Sequence, residues 1–300
     1  MSFHEVVEPT CTDADGSIQL IIEPVKKDLG EFTVRRALPA KERKMVGPFI
    51  FFDHMGPAEF PPGKGIQVRP HPHIGIATIT YLFEGEIMHH DSLGIDQSIQ
   101  PGAVNLMTAG RGIVHSERAG SDLNMTSRLH GIQSWMALPD DHQEIEPAFM
   151  HYPRTELPEC QVGGVTVRVI IGKAYGEVSP VNSYSSTLYL ECLMPKGTRL
   201  TLPEDHKELA AYVVAGDIMI DGLQYRDGVM AVASAGKVVH LTAQEDSRVM
   251  IIGGAPVGER HIWWNFVSNS FSRIEVAKKD WKEDRFGKVS GDDELIPLPE

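Results

Sequence analysis

An internal repeat of strands and turns is the feature that most narrows the folds open to this 300-residue chain. Residues 81–88 (YLFEGEIM) align with residues 212–219 (YVVAGDIM), 131 positions later. The turn at residues 101–104 (PGAV) has a counterpart at residues 227–230 (DGVM), 126 positions later. This period is longer than that of solenoid repeats. The chain is therefore predicted to contain two copies of one β-unit.

Short strands and turn signals dominate both copies. Residues 76–83 (IATITYLF) are rich in β-branched and aromatic side chains, which indicates a buried strand. Turn signals recur about every 8–12 residues, a spacing typical of β-sandwiches and β-barrels. A helix is indicated only near the C-terminus, where residues 272–275 fit a capping box and Gly287 marks an end, before a loose acidic tail. We predict an all-β chain with an N-terminal domain at 1–138, a C-terminal domain at 139–270, and a helix and tail at 271–300.

Composition and charge indicate the cellular location of the protein and exclude some classes of partner. The net charge of -13 argues against a nucleic-acid-binding surface, which needs clustered lysine and arginine. Cys11, Cys160 and Cys192 are widely separated and form no CxxC motif, which favours a reducing compartment. The first residues lack the basic and apolar regions of a signal peptide, and no run of eighteen apolar residues is present. The expected location is cytoplasmic, without membrane or direct nucleic-acid binding.

Two short pairs of metal-type ligands lie in the first copy, in the HPH motif at residues 71–73 and the HSE motif at residues 115–117. Within each pair the spacing is i, i+2, which places both side chains on one face of a β-strand. Two such strands side by side direct three imidazoles and one carboxylate at a single point, a ligand set for a first-row transition metal. The candidate ligands are His71, His73, His115 and Glu117.

The second copy retains the turns of the first but not its ligands. When the same offsets are applied to the four ligand positions, the equivalent residues in the second copy are Leu202, Glu204, Leu241 and Ala243. His240 is one residue out of register, and such a slip turns a side chain to the opposite face of a strand. His206 is nearby but alone. We predict one metal site, in the N-terminal copy.

These motifs resemble those of the cupin superfamily and, more specifically, those of the pirin family. The matching stretches are HPHIG (71–75), TYLFEG (80–85), HDSLG (90–94), PG (101–102) and MTAGRGIVHSE (107–117). The close resemblance covers about residues 45–138. It implies two tandem cupin barrels, with a metal, typically iron, in the N-terminal barrel. Carried over residue by residue, the family's metal ligands fall at His71, His73, His115 and Glu117.

Three histidines and one glutamate leave about two of six octahedral positions open, as in non-haem iron oxygenases. Iron is therefore the expected ion, and nickel, manganese, copper or zinc are expected to exchange with it in a purified sample. Some bacterial pirins resemble quercetin (flavonol) 2,3-dioxygenases, in which a carboxylate at the metal takes the proton of the substrate hydroxyl. The resemblance gives this role to Glu117.

A second function is compatible with the same ligands: a non-catalytic, iron-dependent redox sensor that binds an enzyme or a transcription factor. An apolar-walled pocket open to the metal favours the enzyme, whereas a narrow mouth beside an exposed apolar patch favours the sensor. Three further histidines have open roles. His89 and His90 either contact the site or are solvated, and His54 either lines the mouth or packs in the core.

Overall fold

The computed structural model describes residues 16–30 and 32–299, so Cys11 lies outside the described residues. In this part of the chain, β-strands predominate and the one α-helix is α1 (Phe271–Lys282). No helix of these residues has the length and apolar character that a bilayer crossing requires. The strands of the first half are β1 (Ile18–Ile22), β2 (Val25–Asp28), β3 (Thr33–Leu38), β4 (Phe49–Phe60), β5 (Gln67–His73), β6 (Ile76–Glu84), β7 (Ile87–Asp91), β8 (Asp96–Ile99), β9 (Val104–Thr108), β10 (Ile113–Ala119), β11 (Ser127–Ala137) and β12 (Ala148–Tyr152).

The second half repeats this pattern after two short 3-10 helices, Asp140–His142 and Arg154–Glu156. Its strands are β13 (Glu159–Val162), β14 (Val165–Ile171), β15 (Lys173–Ala174), β16 (Glu177–Val178), β17 (Thr187–Met194), β18 (Arg199–Thr201), β19 (Glu208–Ala215), β20 (Asp217–Ile220), β21 (Leu223–Arg226), β22 (Met230–Ala233), β23 (His240–Ala243), β24 (Ser247–Gly254), β25 (His261–Trp263) and β26 (Phe266–Ser268). The predicted all-β fold of two cupin barrels and a short helix is confirmed.

Each barrel consists of a seven-stranded sheet packed on a four-stranded sheet. In the N-terminal barrel the strand orders are β12-β9-β6-β11-β4-β3-β2 and β5-β10-β7-β8. In the C-terminal barrel they are β1-β22-β19-β24-β17-β14-β13 and β18-β23-β20-β21. The repeat seen in the sequence therefore corresponds to a repeated pair of sheets.

Two strands cross the predicted boundary between residues 138 and 139. Strand β1, near the N-terminus, pairs with β22 in the C-terminal barrel. Strand β12, which lies after residue 139, pairs with β9 in the N-terminal barrel. The C-terminal barrel thus takes an edge strand, β1, from the N-terminal end of the chain, and the N-terminal barrel continues past residue 138 to include β12. The additional edge strand covers a sheet edge, and β1 ties the barrels together.

The two seven-stranded sheets share one buried core. The rings of Phe49 and Tyr189 lie 5.5 Å apart between centroids, and those of Phe52 and Tyr212 lie 4.9 Å apart. All four side chains are fully buried, and each pair joins one barrel to the other. Because aromatic side chains bury large apolar areas, these contacts fix the position of the N-terminal barrel against the C-terminal one.

Helix α1 begins earlier than the capping box predicts. The side chain of Ser270 accepts a hydrogen bond from the backbone N–H of Arg273 at 3.4 Å, and Ser270 is therefore the N-cap. The helix ends at Lys282, five residues before Gly287. Its buried face packs on the N-terminal barrel in a cluster that includes Ile74, Val114, Phe266, Ile274, Ala277 and Trp281.

The prediction of a loose acidic tail was wrong. Asp292 accepts two hydrogen bonds from Arg118, and the backbone N–H of Ile296 donates to the carbonyl of Pro70 at 2.9 Å. Trp281 Nε1 donates to the carbonyl of Ile296 at 3.0 Å. The acidic composition suggested a solvated segment, but Asp292 has a partly buried cationic partner in Arg118, which only the folded chain brings to it.

Candidate metal centre

The two predicted ligand pairs lie on neighbouring antiparallel strands. In the pairing of β5 with β10, His115 lies opposite His71, and Ile113 lies opposite His73. Glu117 then lies opposite Val68, because the register shifts between His115 and Glu117 and leaves one extra residue on β5. Such a bulge re-aims side chains next to a site. Strand pairing therefore brings the HPH and HSE motifs together, as their spacing predicted.

The three histidines meet inside the N-terminal barrel. Their ligand nitrogens all lie within 4.8 Å of one another. Nε2 of His73 is 3.2 Å from Nε2 of His115, and all three side chains are buried. Glu117 is not part of this close group, but it lines the same cavity and accepts a hydrogen bond from Gln133 Nε2 at 3.3 Å.

Burial makes these imidazoles neutral. It lowers the pKa of His71 to about 4 and holds the pKa values of His73 and His115 well below their usual range. Burial also raises the pKa of Glu117 to about 7, against hydrogen bonds from Thr80 and Gln133 that lower it. Neutral imidazole is the form that ligates metals. Three uncharged rings that point nitrogens at one place suit a cation between them.

Hydrogen bonds determine which ring nitrogen of His71 and of His115 is free to bind a metal between the three rings. Nδ1 of His71 lies 2.8 Å from the carbonyl of Arg69, and a carbonyl only accepts, so Nδ1 carries the proton and Nε2 is free to bind a metal. A chain of contacts likewise determines which ring nitrogen of His115 carries the proton. Nε2 of His89 donates to Asp91 at 3.0 Å, and Nδ1 of His89 lies 3.4 Å from Nδ1 of His115. This arrangement leaves Nε2 of His115 directed at the site, and these residues fit a bound metal.

The three histidines with open roles have different surroundings. His89 is buried in contact with His115, whereas His90 lies at the surface and is bonded to Asp96. His54 is fully buried between the barrels and hydrogen-bonded to Tyr212, away from the cavity. His54 therefore packs in the interior, and His89 supports a candidate ligand.

A cavity of about 200 Å³ opens from the histidines to solvent. Its walls are mainly apolar, and on one side the rings of Phe51 and Trp135 stack with centroids 4.0 Å apart. Arg36 donates two hydrogen bonds of 2.8 Å to Asp53 on the same wall. The other lining residues include Leu29, Phe32, Val34, Met55, Ile66, Val68, Trp264, Asn265 and Ile296.

These wall residues could not be identified as a group from the sequence. They come from the β2–β3 hairpin, three strands, the segment after β25 and the C-terminal tail. Strand alternation relates neighbours such as Phe51 and Asp53 on β4, but no spacing relates one segment to the next. The stretch at residues 51–54 was visible as a candidate, but its pattern suggested His54 rather than Phe51 or Asp53. Only tertiary packing brings the wall together.

The C-terminal barrel has apolar residues in place of ligands, with a corrected register. Leu241 lies opposite Leu200, as His115 lies opposite His71. The equivalents of the two HPH histidines are therefore Leu200 and Leu202, not Leu202 and Glu204, because the second copy is two residues longer between β18 and β19 than the first copy is between β5 and β6. His240 bonds to Thr201, and Nε2 of His206 lies 3.5 Å from a carboxylate oxygen of Asp205. Over residues 16–30 and 32–299, the only close group of three metal-type ligands is that of the N-terminal barrel.

Comparisons with known proteins agree with the repeat and the two barrels. The model of the pirin family matches residues 31–136, and that of the pirin C-terminal cupin domain matches residues 189–287. A pirin-like protein of Caulobacter vibrioides is 48% identical over 94% of this chain and 100% of its own length.

Solved structures share the same architecture. A quercetin 2,3-dioxygenase from Acinetobacter baumannii superposes with a TM-score of 0.87 and 32% identity, covering 93% of this chain and 94% of that one. The Escherichia coli pirin YhhW, solved with nickel(II), gives a TM-score of 0.63 at 19% identity over 79% of this chain and 98% of its own. The likeness to YhhW shows the fold alone. By its two matched domains and its bacterial relative, this chain belongs to the pirin family.

Proposed function

We propose that this protein is a metal-dependent dioxygenase that acts on a flavonol-like aromatic substrate. The observation that carries the proposal is the group of three neutral, buried imidazoles at an apolar cavity that is open to solvent. Such a cavity suits an aromatic ligand, since pockets for small molecules are mostly apolar with a few placed polar groups. The name of the structural relative from Acinetobacter baumannii gives the substrate class.

The proposed ligands are His71, His73, His115 and Glu117, and the proposed ion is iron. Imidazole and carboxylate donors suit iron, and Glu117 would add a fourth ligand to the three histidines. If bound there, iron would supply the redox chemistry that joins the substrate to dioxygen. Nickel, manganese, copper or zinc are expected in samples purified without control of the metal.

The residues of the chain supply binding, water exclusion and proton transfer. The side chains of Phe51 and Trp135 line the cavity and provide apolar contact for an aromatic substrate. Glu117 lies in the same cavity and takes the proton of the substrate hydroxyl: the substrate O–H bond breaks and a carboxyl O–H bond forms. Gln133, which donates to Oε1, holds the carboxylate in place.

The cavity also weighs against the redox-sensor alternative. In a redox sensor, a change at the metal must alter an exposed surface that binds a partner. A sensor does not require a cavity for a substrate. Here the histidines lie beside an open, apolar-walled space, and this favours the enzyme. A flavonol-like small molecule is therefore the proposed partner, and the cytoplasmic location remains a prediction from the sequence.

Oxygen consumption tests the proposal. The metal-free protein is reconstituted with iron without oxygen, and oxygen uptake is then recorded with and without quercetin, with nickel-, manganese- and copper-loaded samples in parallel. Uptake that needs both metal and quercetin supports the proposal, and His71→Ala protein serves as the control without a complete site. Absence of uptake with every metal and every flavonol tried contradicts it.

A further inference from the structure

The C-terminal segment at residues 289–298 reaches the ligand cavity. Ile296 lines this cavity together with the three histidines. Its backbone N–H donates to the carbonyl of Pro70, the residue before His71, at 2.9 Å. Its carbonyl accepts from Trp281 Nε1 at 3.0 Å. The backbone of Ile296 is therefore hydrogen-bonded on both sides, and its position is coupled to the strand that carries the HPH motif.

An ion pair holds the same segment to the other ligand strand. Arg118 directly follows Glu117 on β10, and it donates to both carboxylate oxygens of Asp292, at 2.8 and 2.6 Å. The two side chains are only 19% and 14% exposed, so the pair is largely shielded from water. A two-point arginine–carboxylate contact of this kind fixes geometry as well as charge. The buried side chain of Val289 adds an apolar contact with the helix cluster.

We propose that residues 289–298 are a fixed wall of the active-site cavity, in which Ile296 is a specificity-determining residue and the Arg118–Asp292 pair positions it. The inference rests on the proposed function only for the identity of the ligand, a flavonol. The side chain of Ile296 limits the size of the ligand that reaches the histidines. Small ligands that need only the metal do not contact it.

Substitution of Ile296 by phenylalanine tests the size limit. In iron-loaded protein, Ile296→Phe is expected to weaken quercetin binding at least tenfold and to change azide binding less than twofold. Leu295→Phe is the matched control, because Leu295 is exposed and does not line the cavity. Unchanged quercetin binding overturns the proposal, and so does an equal loss for quercetin and azide, which indicates damage to the metal site.

A parent protein that binds azide but not quercetin contradicts the flavonol proposal, not the wall. The same variants are then titrated with catechol and 4-phenylcatechol, which bind a metal through the same two oxygens and differ in size. The wall predicts that Ile296→Phe discriminates against the larger of the two. Equal affinities in variant and parent for both overturn it.

Hydrogen exchange tests the anchor without any ligand. Asp292→Asn keeps the shape of the side chain and removes its charge, so the amide of Ile296 is expected to exchange at least tenfold faster than in the parent. Amides in the C-terminal barrel are expected to keep their parental rates, which reports that the variant is folded. An amide of Ile296 that is unprotected in the parent itself overturns the fixed wall.

Discussion

The replacement of Glu117 by glutamine separates proton transfer from metal binding. Glutamine has nearly the same size, and its Oε1 can still accept the hydrogen bond that Gln133 donates to Glu117 at 3.3 Å. Because Glu117 is 8% exposed and has polar neighbours in Gln133 and Thr80, the substitution leaves no large cavity. What the variant loses is the negative charge and the proton acceptor.

The size of the expected effect follows from this geometry. General-base catalysis contributes about 10²–10⁴-fold to a rate. Among the described residues that line the cavity, the other carboxylate is that of Asp53, and Arg36 already engages both of its oxygens. We therefore expect Glu117→Gln to lose flavonol turnover by on the order of 10²-fold or more, which is about 2.7 kcal/mol of transition-state stabilisation.

Turnover per bound iron is the quantity to measure. Iron content is determined by elemental analysis, and oxygen uptake with quercetin is recorded at equal bound iron for the parent and the variant. Glu84→Gln, on the exposed end of β6, is a matched control that removes a carboxylate outside the cavity. Equal turnover per iron in Glu117→Gln and the parent would refute the role of Glu117 as the base and leave it as a ligand at most.

Three further predictions concern the metal and the stability. His71→Ala is expected to lower bound metal at least tenfold by elemental analysis, and full occupancy would contradict the assignment of His71 as a ligand. The parent is expected to bind about one ion per chain, unchanged in His206→Ala; a second ion that this variant loses would indicate a site in the C-terminal barrel. Burial, followed by the charge of Arg35, lowers the pKa of His54 to about 2, below its usual 6.5. Because the folded protein holds His54 neutral, its contribution to stability is fully present above pH 6.5. Below pH 6.5 the unfolded chain binds the proton, and the free energy of unfolding should fall by about 1.4 kcal/mol per pH unit. In urea titrations of metal-free protein from pH 7 to pH 5, His54→Gln should lose this part of the slope, and an unchanged slope would contradict the assignment.

Local sequence was sufficient for the fold class and for the meeting of the histidines. The i, i+2 spacing in the HPH and HSE motifs acts through the alternation of a strand, which does not depend on the rest of the chain. Turn residues such as Gly85 and Gly102 take positive φ values where the repeat places turns. The repeated order of strands and turns could therefore also be predicted from the sequence. The same locality explains why the second copy could be recognised as lacking ligands.

Contacts between distant residues decided the rest. The two-residue difference in register before β19 became visible only when Leu241 was seen opposite Leu200, because strand pairing is a property of two segments. The pairing of β1 with β22 of the C-terminal barrel has the same origin. The apolar wall and the anchored Ile296 depend on side chains from distant parts of the chain, which no periodicity relates. The sequence thus determined which strands carry the ligands, and the tertiary structure decided what surrounds them, since packing depends on surfaces that only the folded chain brings together.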